Sequence, residues 1–110
     1  MKAKPVRGSV QAERDVEDAI AYYLQEGAEQ AALGFIDALE QAYAHIGRHR
    51  GIGSSRYAHE LNLPGLRCWK LTRYPYLVFY VERAEQMDVW RVLHAQRDIP
   101  AWMQGSDSSA

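Results

Sequence analysis

Two helical hydrophobic patterns follow one another with almost no chain between them. Within residues 10–25, Val16, Ile20 and Tyr23 recur at the spacing of one helix face, and the same period runs through residues 28–46. Each pattern is long enough for several helical turns. Because so short a link gives the chain no room to travel, the two helices must pack antiparallel as an αα-hairpin.

The residues at the ends of these patterns support the same boundaries. Ser9 is a good N-cap, because its hydroxyl can accept a bond from an N–H of the first turn. Gly27 suits the left-handed position that commonly follows a helix. His45 and His49 are favourably placed near the negative end of the second helix. We therefore predict that the hairpin turns close to Gly27.

A long glycine-rich segment then separates the helices from a different pattern. Residues 47–65 contain four glycines and Pro64, which predicts a loop, with a short helical turn over residues 57–61. A loop of this length is more typical of a functional segment than of a tight connection.

After the loop, the hydrophobic period changes to two. Short polar turns separate three β-like segments, which predicts an antiparallel meander. The middle segment is apolar on both faces, as expected of a covered, central strand. Residues 4–8 are predicted to add a short edge strand, since Pro5 cannot donate to a central ladder. The three segments are Leu66–Thr72, Tyr76–Val81 and Met87–His94.

The resulting order, β-α-α-β-β-β, predicts an α+β fold with a helical hairpin packed on a small antiparallel sheet. Asp98 is a candidate N-cap for a short C-terminal helix, with Pro100 in its first turn and Trp102 packing back. We expect a single domain over residues 1–103 and a disordered polar tail over residues 104–110.

Composition excludes several classes of protein. With 47% hydrophobic and 25% charged residues, the chain is expected to be globular and not disordered. Cys68 is the one cysteine, so no disulfide can form within the chain. No apolar run approaches the ~18 residues of a membrane span, and the basic start lacks the apolar run of a secretory signal. A cytoplasmic location is the simplest expectation.

The net charge of −1 conceals a separation of charge along the chain. Residues 1–42 carry four basic residues against eight acids, whereas residues 43–97 carry nine against four. Ten of the thirteen basic residues are arginines, which suit bidentate contacts with phosphate or carboxylate. The second half of the chain is therefore the expected basic surface, either for a partner or simply solvated.

No motif for a cofactor or a metal is present in the sequence. There is no glycine-rich phosphate loop, no His-Glu-x-x-His, no cysteine pair and no Gly-x-Ser-x-Gly turn. A zinc site from His45, His49 and His59 lacks ligand spacing, and Cys68 is better explained as a small core residue. We therefore expect no cofactor and no metal.

One basic constellation remains on the predicted sheet. Such a face suits RNA cleavage, in which His94 would transfer a proton and arginines would stabilise the charged transition state. A partner base for His94 is not evident, however, so a docking or solvated surface is favoured. The residues concerned are Arg67, Lys70, Arg73, Arg91, His94 and Arg97, with Tyr76 or Tyr80 nearby.

Three stretches, taken in order, resemble the RelE/ParE superfamily of type II toxin–antitoxin toxins. They are the acidic opening helix over residues 12–23, the passage from Leu63-Pro64-Gly65-Leu66-Arg67 to Tyr76-Leu77-Val78-Phe79-Tyr80, and the ending Arg91-Val92-Leu93-His94-Ala95-Gln96-Arg97-Asp98-Ile99-Pro100. The resemblance covers about residues 4–103. The ending is the most specific of the three and is similar to the ParE branch in particular.

This resemblance implies a function that the residues alone do not. ParE-like toxins poison DNA gyrase and inhibit growth, and RelE-like toxins are ribosome-dependent mRNA endoribonucleases. In both branches a cognate antitoxin neutralises the toxin, and in ParD–ParE pairs the antitoxin also binds operator DNA. The implied partners are therefore a ParD-like antitoxin and gyrase, or alternatively the ribosome with mRNA, with operator DNA bound only through the antitoxin.

The ribonuclease branch is the poorer match. Ala95-Gln96 follows His94, and the terminal aromatic residue is Trp102, which lacks the hydroxyl that those enzymes often place near the chain end. The prediction is thus a gyrase inhibitor without catalytic residues of its own. A ribonuclease using Arg91, His94, Arg67 and Arg73 is the first alternative, and a non-toxic interaction module is the second.

Two surfaces are predicted on this basis. The target-binding surface comprises Arg91, His94, Arg97, Trp102, Arg67 and Arg73. The antitoxin is expected to lie across the helical hairpin on exposed apolar positions, namely Ala19, Tyr22, Tyr23 and Phe35. Acidic antitoxin residues would pair with arginines of residues 43–97.

Overall fold

The computed structural model describes residues 3–49, 51–96 and 99. Its element order confirms the predicted α+β fold with a helical hairpin. The predicted C-terminal helix lies outside the described residues except for Ile99, which is helical and buried. The elements are β1 (Val6–Gly8), α1 (Val10–Gln25), α2 (Glu29–Arg48), α3 (Arg56–Glu60), β2 (Leu66–Lys70), β3 (Tyr76–Glu82) and β4 (Met87–His94).

The start of α1 is fixed to the sheet by Ser9. Its hydroxyl oxygen accepts a hydrogen bond from the Ala12 N–H at 3.0 Å and donates one to the Trp90 carbonyl at 2.9 Å. Ser9 is therefore the predicted N-cap, and it also joins α1 to β4. At the other end, Gly27 has φ +70°, so the left-handed turn predicted between the helices is confirmed.

Replacing Ser9 by alanine should test this double role. Ser9→Ala removes both the cap and the bond to β4, so we expect the free energy of unfolding to fall by about 1–2 kcal/mol. Ser9→Thr retains the hydroxyl and should recover most of that loss. Urea denaturation of the three proteins measures the difference, and equal midpoints for Ser9→Ala and the native chain would contradict the expectation.

The buried face of α2 follows the predicted helical period. Phe35, Leu39, Ala42 and Ile46 point into the core between the hairpin and the sheet. Gly34 lies beneath Tyr74, whose hydroxyl donates to the Ala31 carbonyl at 3.0 Å.

Among the described residues, no helix combines the length and apolar character that a membrane span needs.

The four strands are arranged in the order β1-β4-β3-β2. The β2-β3-β4 part is the predicted antiparallel meander, although β2 ends at Lys70, two residues earlier than the hydrophobic alternation indicated. β1 is the predicted edge strand, and it pairs with β4 in parallel. Because β1 is short and its pairing stops at Val89, the rest of this edge of β4 has no neighbouring strand among the described residues.

Both faces of β3 are covered, as its sequence predicted. Val78 and Tyr80 face the helical hairpin, whereas Phe79 and Val81 belong to a second cluster that includes residues of α3 and Ile99. A β-bulge shifts the pairing next to Phe79, and Trp90 is left without a register partner on β3.

Candidate functional site

Arg91, the first residue of the predicted functional ending, is buried under α1. Its Nε and Nη2 donate to the two carboxylate oxygens of Asp15, each at 2.8 Å. Asp15 Oδ2 also accepts the backbone N–H of Val92 at 3.0 Å. The Asp15 carboxylate of α1 thus pairs with the Arg91 guanidinium. It also accepts a backbone hydrogen bond on the edge of β4 that β1 leaves uncovered.

This position is inconsistent with Arg91 lying on an open basic face. The residue is 5% exposed, and Asp15 neutralises its charge. The expectation of an exposed Arg91 was therefore wrong, because strand periodicity cannot anticipate a buried partner on a helix 76 residues away in sequence. The only sequence signal was Asp15 itself, an acid beside the apolar stripe of α1.

Arg67 also has a local structural contact. Its Nη1 donates to the Gly53 carbonyl at 2.8 Å, and the Gly53 N–H donates to the Tyr80 hydroxyl at 2.9 Å. Ser54 forms a bridge with Cys68 on the outer side of β2. These bonds fix the loop after α2 against the sheet, and Arg67 is half-buried as a result.

Arg73 and His94 are brought to the same end of the sheet. Arg73 is exposed in the turn between β2 and β3, with φ +71°. His94 ends β4 opposite Tyr76, and its ring lies 5.2 Å from the Tyr76 ring. Arg97 and Trp102 lie outside the described residues. The predicted surface is therefore divided: Arg73 and His94 share one end, Arg67 lies further along β2, and Arg91 is buried.

An open groove of about 450 Å³ runs between α1 and the end of β4. The α1 wall presents Asp18 and Tyr22, which are one helical turn apart and share a face. The opposite wall is made by the last residues of β4 and the start of β3. The lining residues are Asp15, Asp18, Ala19, Tyr22, Tyr23, Pro75, Tyr76, Val92, Leu93 and His94.

Only part of the predicted antitoxin-facing set is accessible. Tyr22 is 55% exposed and Tyr23 is half-buried, and both line this groove. Ala19 is 3% exposed at its base, and Phe35 is fully buried in the core. The expected exposure of Ala19 and Phe35 was wrong, because both lie on the helix faces that pack onto the sheet and onto each other.

Burial suppresses ionisation of two groups, the Tyr23 hydroxyl and the Cys68 thiol. Burial and the neighbouring tyrosines Tyr76, Tyr74 and Tyr22 raise the pKa of the Tyr23 hydroxyl. Burial likewise raises the pKa of the Cys68 thiol, although Arg56 partly opposes it. Tyr23 therefore remains a neutral donor or acceptor in the groove, and Cys68 has the character of the small core residue predicted from sequence.

Proton-transfer chemistry is not assembled within the described parts of the chain. The His94 Nδ1 accepts a hydrogen bond from the Gln96 N–H at 3.1 Å, so Nε2 is the ring nitrogen that remains for other contacts. Of the arginines predicted to assist His94, Arg91 is held by Asp15 and Arg67 by the Gly53 carbonyl, whereas Arg73 is exposed. No three His, Cys, Asp or Glu side chains within residues 3–49, 51–96 and 99 come together as metal ligands.

Comparisons with known proteins match most of this chain. The family that matches residues 6–99 is described as "ParE toxin of type II toxin-antitoxin system, parDE". Among solved structures, a chain of a chromosomal ParDE toxin–antitoxin system from P. aeruginosa superposes with a TM-score of 0.70. It is 14% identical in sequence, and the match covers 86% of this chain and 98% of the other. Among curated proteins, none matches significantly.

Proposed function

Because the chain belongs to the family of ParE toxins of type II toxin–antitoxin systems, we propose that it inhibits DNA gyrase and thereby arrests growth. The proposed toxin acts in the cytoplasm by binding, and gyrase itself performs the DNA cleavage chemistry. A ParD-like antitoxin neutralises it, and operator DNA is reached only through that antitoxin.

The observation that supports binding over RNA cleavage is the ion pair between Arg91 and Asp15. A ribonuclease of this fold would need cations directed at the scissile phosphate to stabilise the developing charge. Arg91 is instead buried and neutralised, with both hydrogen bonds at 2.8 Å. His94 is half-buried at the end of β4, and its ring lies 5.2 Å from the Tyr76 ring. This arrangement favours a surface that docks over one that transfers protons.

Two assays run side by side test the proposed target. Purified gyrase is expected to lose supercoiling activity and to accumulate cleaved DNA when this protein is added with ATP and plasmid. An in vitro translation reaction should retain intact transcripts at the same protein concentration. Transcript cleavage within codons, with normal supercoiling, would instead identify the ribonuclease alternative, and no effect in either assay would favour a non-toxic module.

The exposed cation at the sheet end provides a sharper prediction. Arg73→Gln removes one charge from an exposed turn, so we expect about fivefold more protein to be needed for half-inhibition of gyrase, as for a charge at the rim of an interface. Arg14→Gln removes the same charge from the exposed side of α1 and should leave inhibition unchanged.

Equal inhibition by the two variants would show that Arg73 is not part of the target surface. Charge changes at Arg91 are unsuitable for this test, because they would alter folding through Asp15.

A further inference from the structure

We propose that the groove between α1 and the end of β4 receives an extended segment of the antitoxin that carries a basic side chain next to an apolar one. The inference rests on the proposed function, since it names the chemistry with which the antitoxin would occupy this groove. It also reverses the charge relation expected from sequence, in which acidic antitoxin residues pair with arginines.

The charges that line the groove favour a cation. Asp15 is already neutralised by Arg91, and Asp18 makes no hydrogen bond or ion pair with any described residue. Asp18 therefore presents a carboxylate at the groove wall that no cation of the described residues neutralises. On the opposite wall, His94 is the one described lining residue with a basic nitrogen. Its Nδ1 accepts a hydrogen bond from the Gln96 N–H.

The aromatic residues of α1 add a second feature that suits a cation. Tyr22 lies one turn beyond Asp18 on the same helix face, and its ring stands 5.5 Å from that of Tyr23 in an edge-to-face arrangement. A guanidinium or ammonium between Asp18 and Tyr22 would gain a carboxylate contact and a cation–π contact together. The adjoining apolar side chain would lie toward Tyr23 and Val92 at the base of the groove.

The edge of β4 explains why the segment would be extended. Ala95 N–H donates to the Pro75 carbonyl, so the alternation of an antiparallel ladder turns the backbone groups of Val92 and His94 away from β3. The Val92 N–H is held by Asp15, which leaves the Val92 carbonyl and the His94 N–H on the open edge. An extended chain can pair with such a donor and acceptor, as in β-strand addition.

The test compares two charge reversals on the helical hairpin. Asp18→Lys places a cation at the groove wall, and Glu40→Lys makes the same change at an exposed position of α2 that does not line the groove. The probe is the purified protein encoded by the reading frame next to the gene for this chain, titrated by calorimetry. We expect Asp18→Lys to weaken binding by about tenfold or more and Glu40→Lys by less than about twofold.

The outcomes separate the inference from the function on which it rests. If Asp18→Lys and Glu40→Lys bind the probe equally well, the groove assignment is overturned. Binding of the probe by the native chain would still support the antitoxin part of the proposed function. If the native chain does not bind the probe at all, the antitoxin part of the proposed function fails and the inference fails with it. Thermal melting of each variant confirms that both remain folded, as expected for exposed positions.

A backbone measurement tests the strand-like pairing independently. Amide hydrogen exchange at His94 should slow when the probe is bound, whereas the amide of Gly51, in the loop after α2, should exchange at its original rate. Unchanged exchange at His94 in the saturated complex would overturn the pairing with the edge of β4.

Discussion

Replacing Asp15 by alanine is expected to destabilise the fold by about 3–5 kcal/mol, because it removes the carboxylate that pairs with a buried guanidinium through two hydrogen bonds. The change also deprives the Val92 N–H of its acceptor. A loss of this size is a large fraction of the ~5–15 kcal/mol that a domain typically has. Chemical denaturation followed by tryptophan fluorescence should therefore show Asp15→Ala unfolding at a much lower denaturant concentration than the native chain.

Two comparison variants separate the pair from general effects on α1. Asp18→Asn alters an exposed carboxylate on the same helix and should change stability by less than about 0.5 kcal/mol. Asp15→Leu combined with Arg91→Met removes both charges together, so it should be considerably more stable than Asp15→Ala. If Asp15→Ala unfolded at the same denaturant concentration as the native chain, the ion pair would contribute nothing to the stability of the fold.

Local periodicity was enough to predict the element order. The α1 and α2 faces follow from apolar residues at helical spacing, and the Ser9 cap and the Gly27 turn follow from the backbone preferences of those residues. The double-sided apolar run of β3 predicted its central place in the sheet. These features depend on neighbours in the sequence, so they can be recognised without knowledge of the tertiary fold.

The candidate site depends on long-range pairing and was predicted only in part. Alternation along β4 placed Arg91 and His94 in one strand, but it could not indicate that Asp15 would bury the first of them. The bulge at Trp90 further breaks the alternation on which the face assignment relied. Arg67 was likewise assigned to a surface, although a loop carbonyl at Gly53 holds it. Partners distant in sequence therefore decide which cations remain accessible.

Phe35→Ala is expected to cost about 3–5 kcal/mol, which would make it a folding variant and not a binding variant. The ring is fully buried, and its centroid lies 6.0 Å from the ring centroid of Tyr23, 5.9 Å from that of Tyr74 and 5.1 Å from that of Tyr76. Truncation would leave a cavity where the hairpin meets the sheet, and it would remove three aromatic contacts at once. Urea denaturation measures the loss directly.

The matched control is Leu33→Ala on the same helix, at a position that is 57% exposed. Because little of this side chain is removed from water by folding, we expect its effect to stay within about 0.5 kcal/mol. Antitoxin affinity should be corrected for the folded fraction of Phe35→Ala, and the corrected value should equal that of the native chain. A stable Phe35→Ala with weakened antitoxin binding would instead mean that Phe35 is a surface contact, as the predicted antitoxin-facing set assumed.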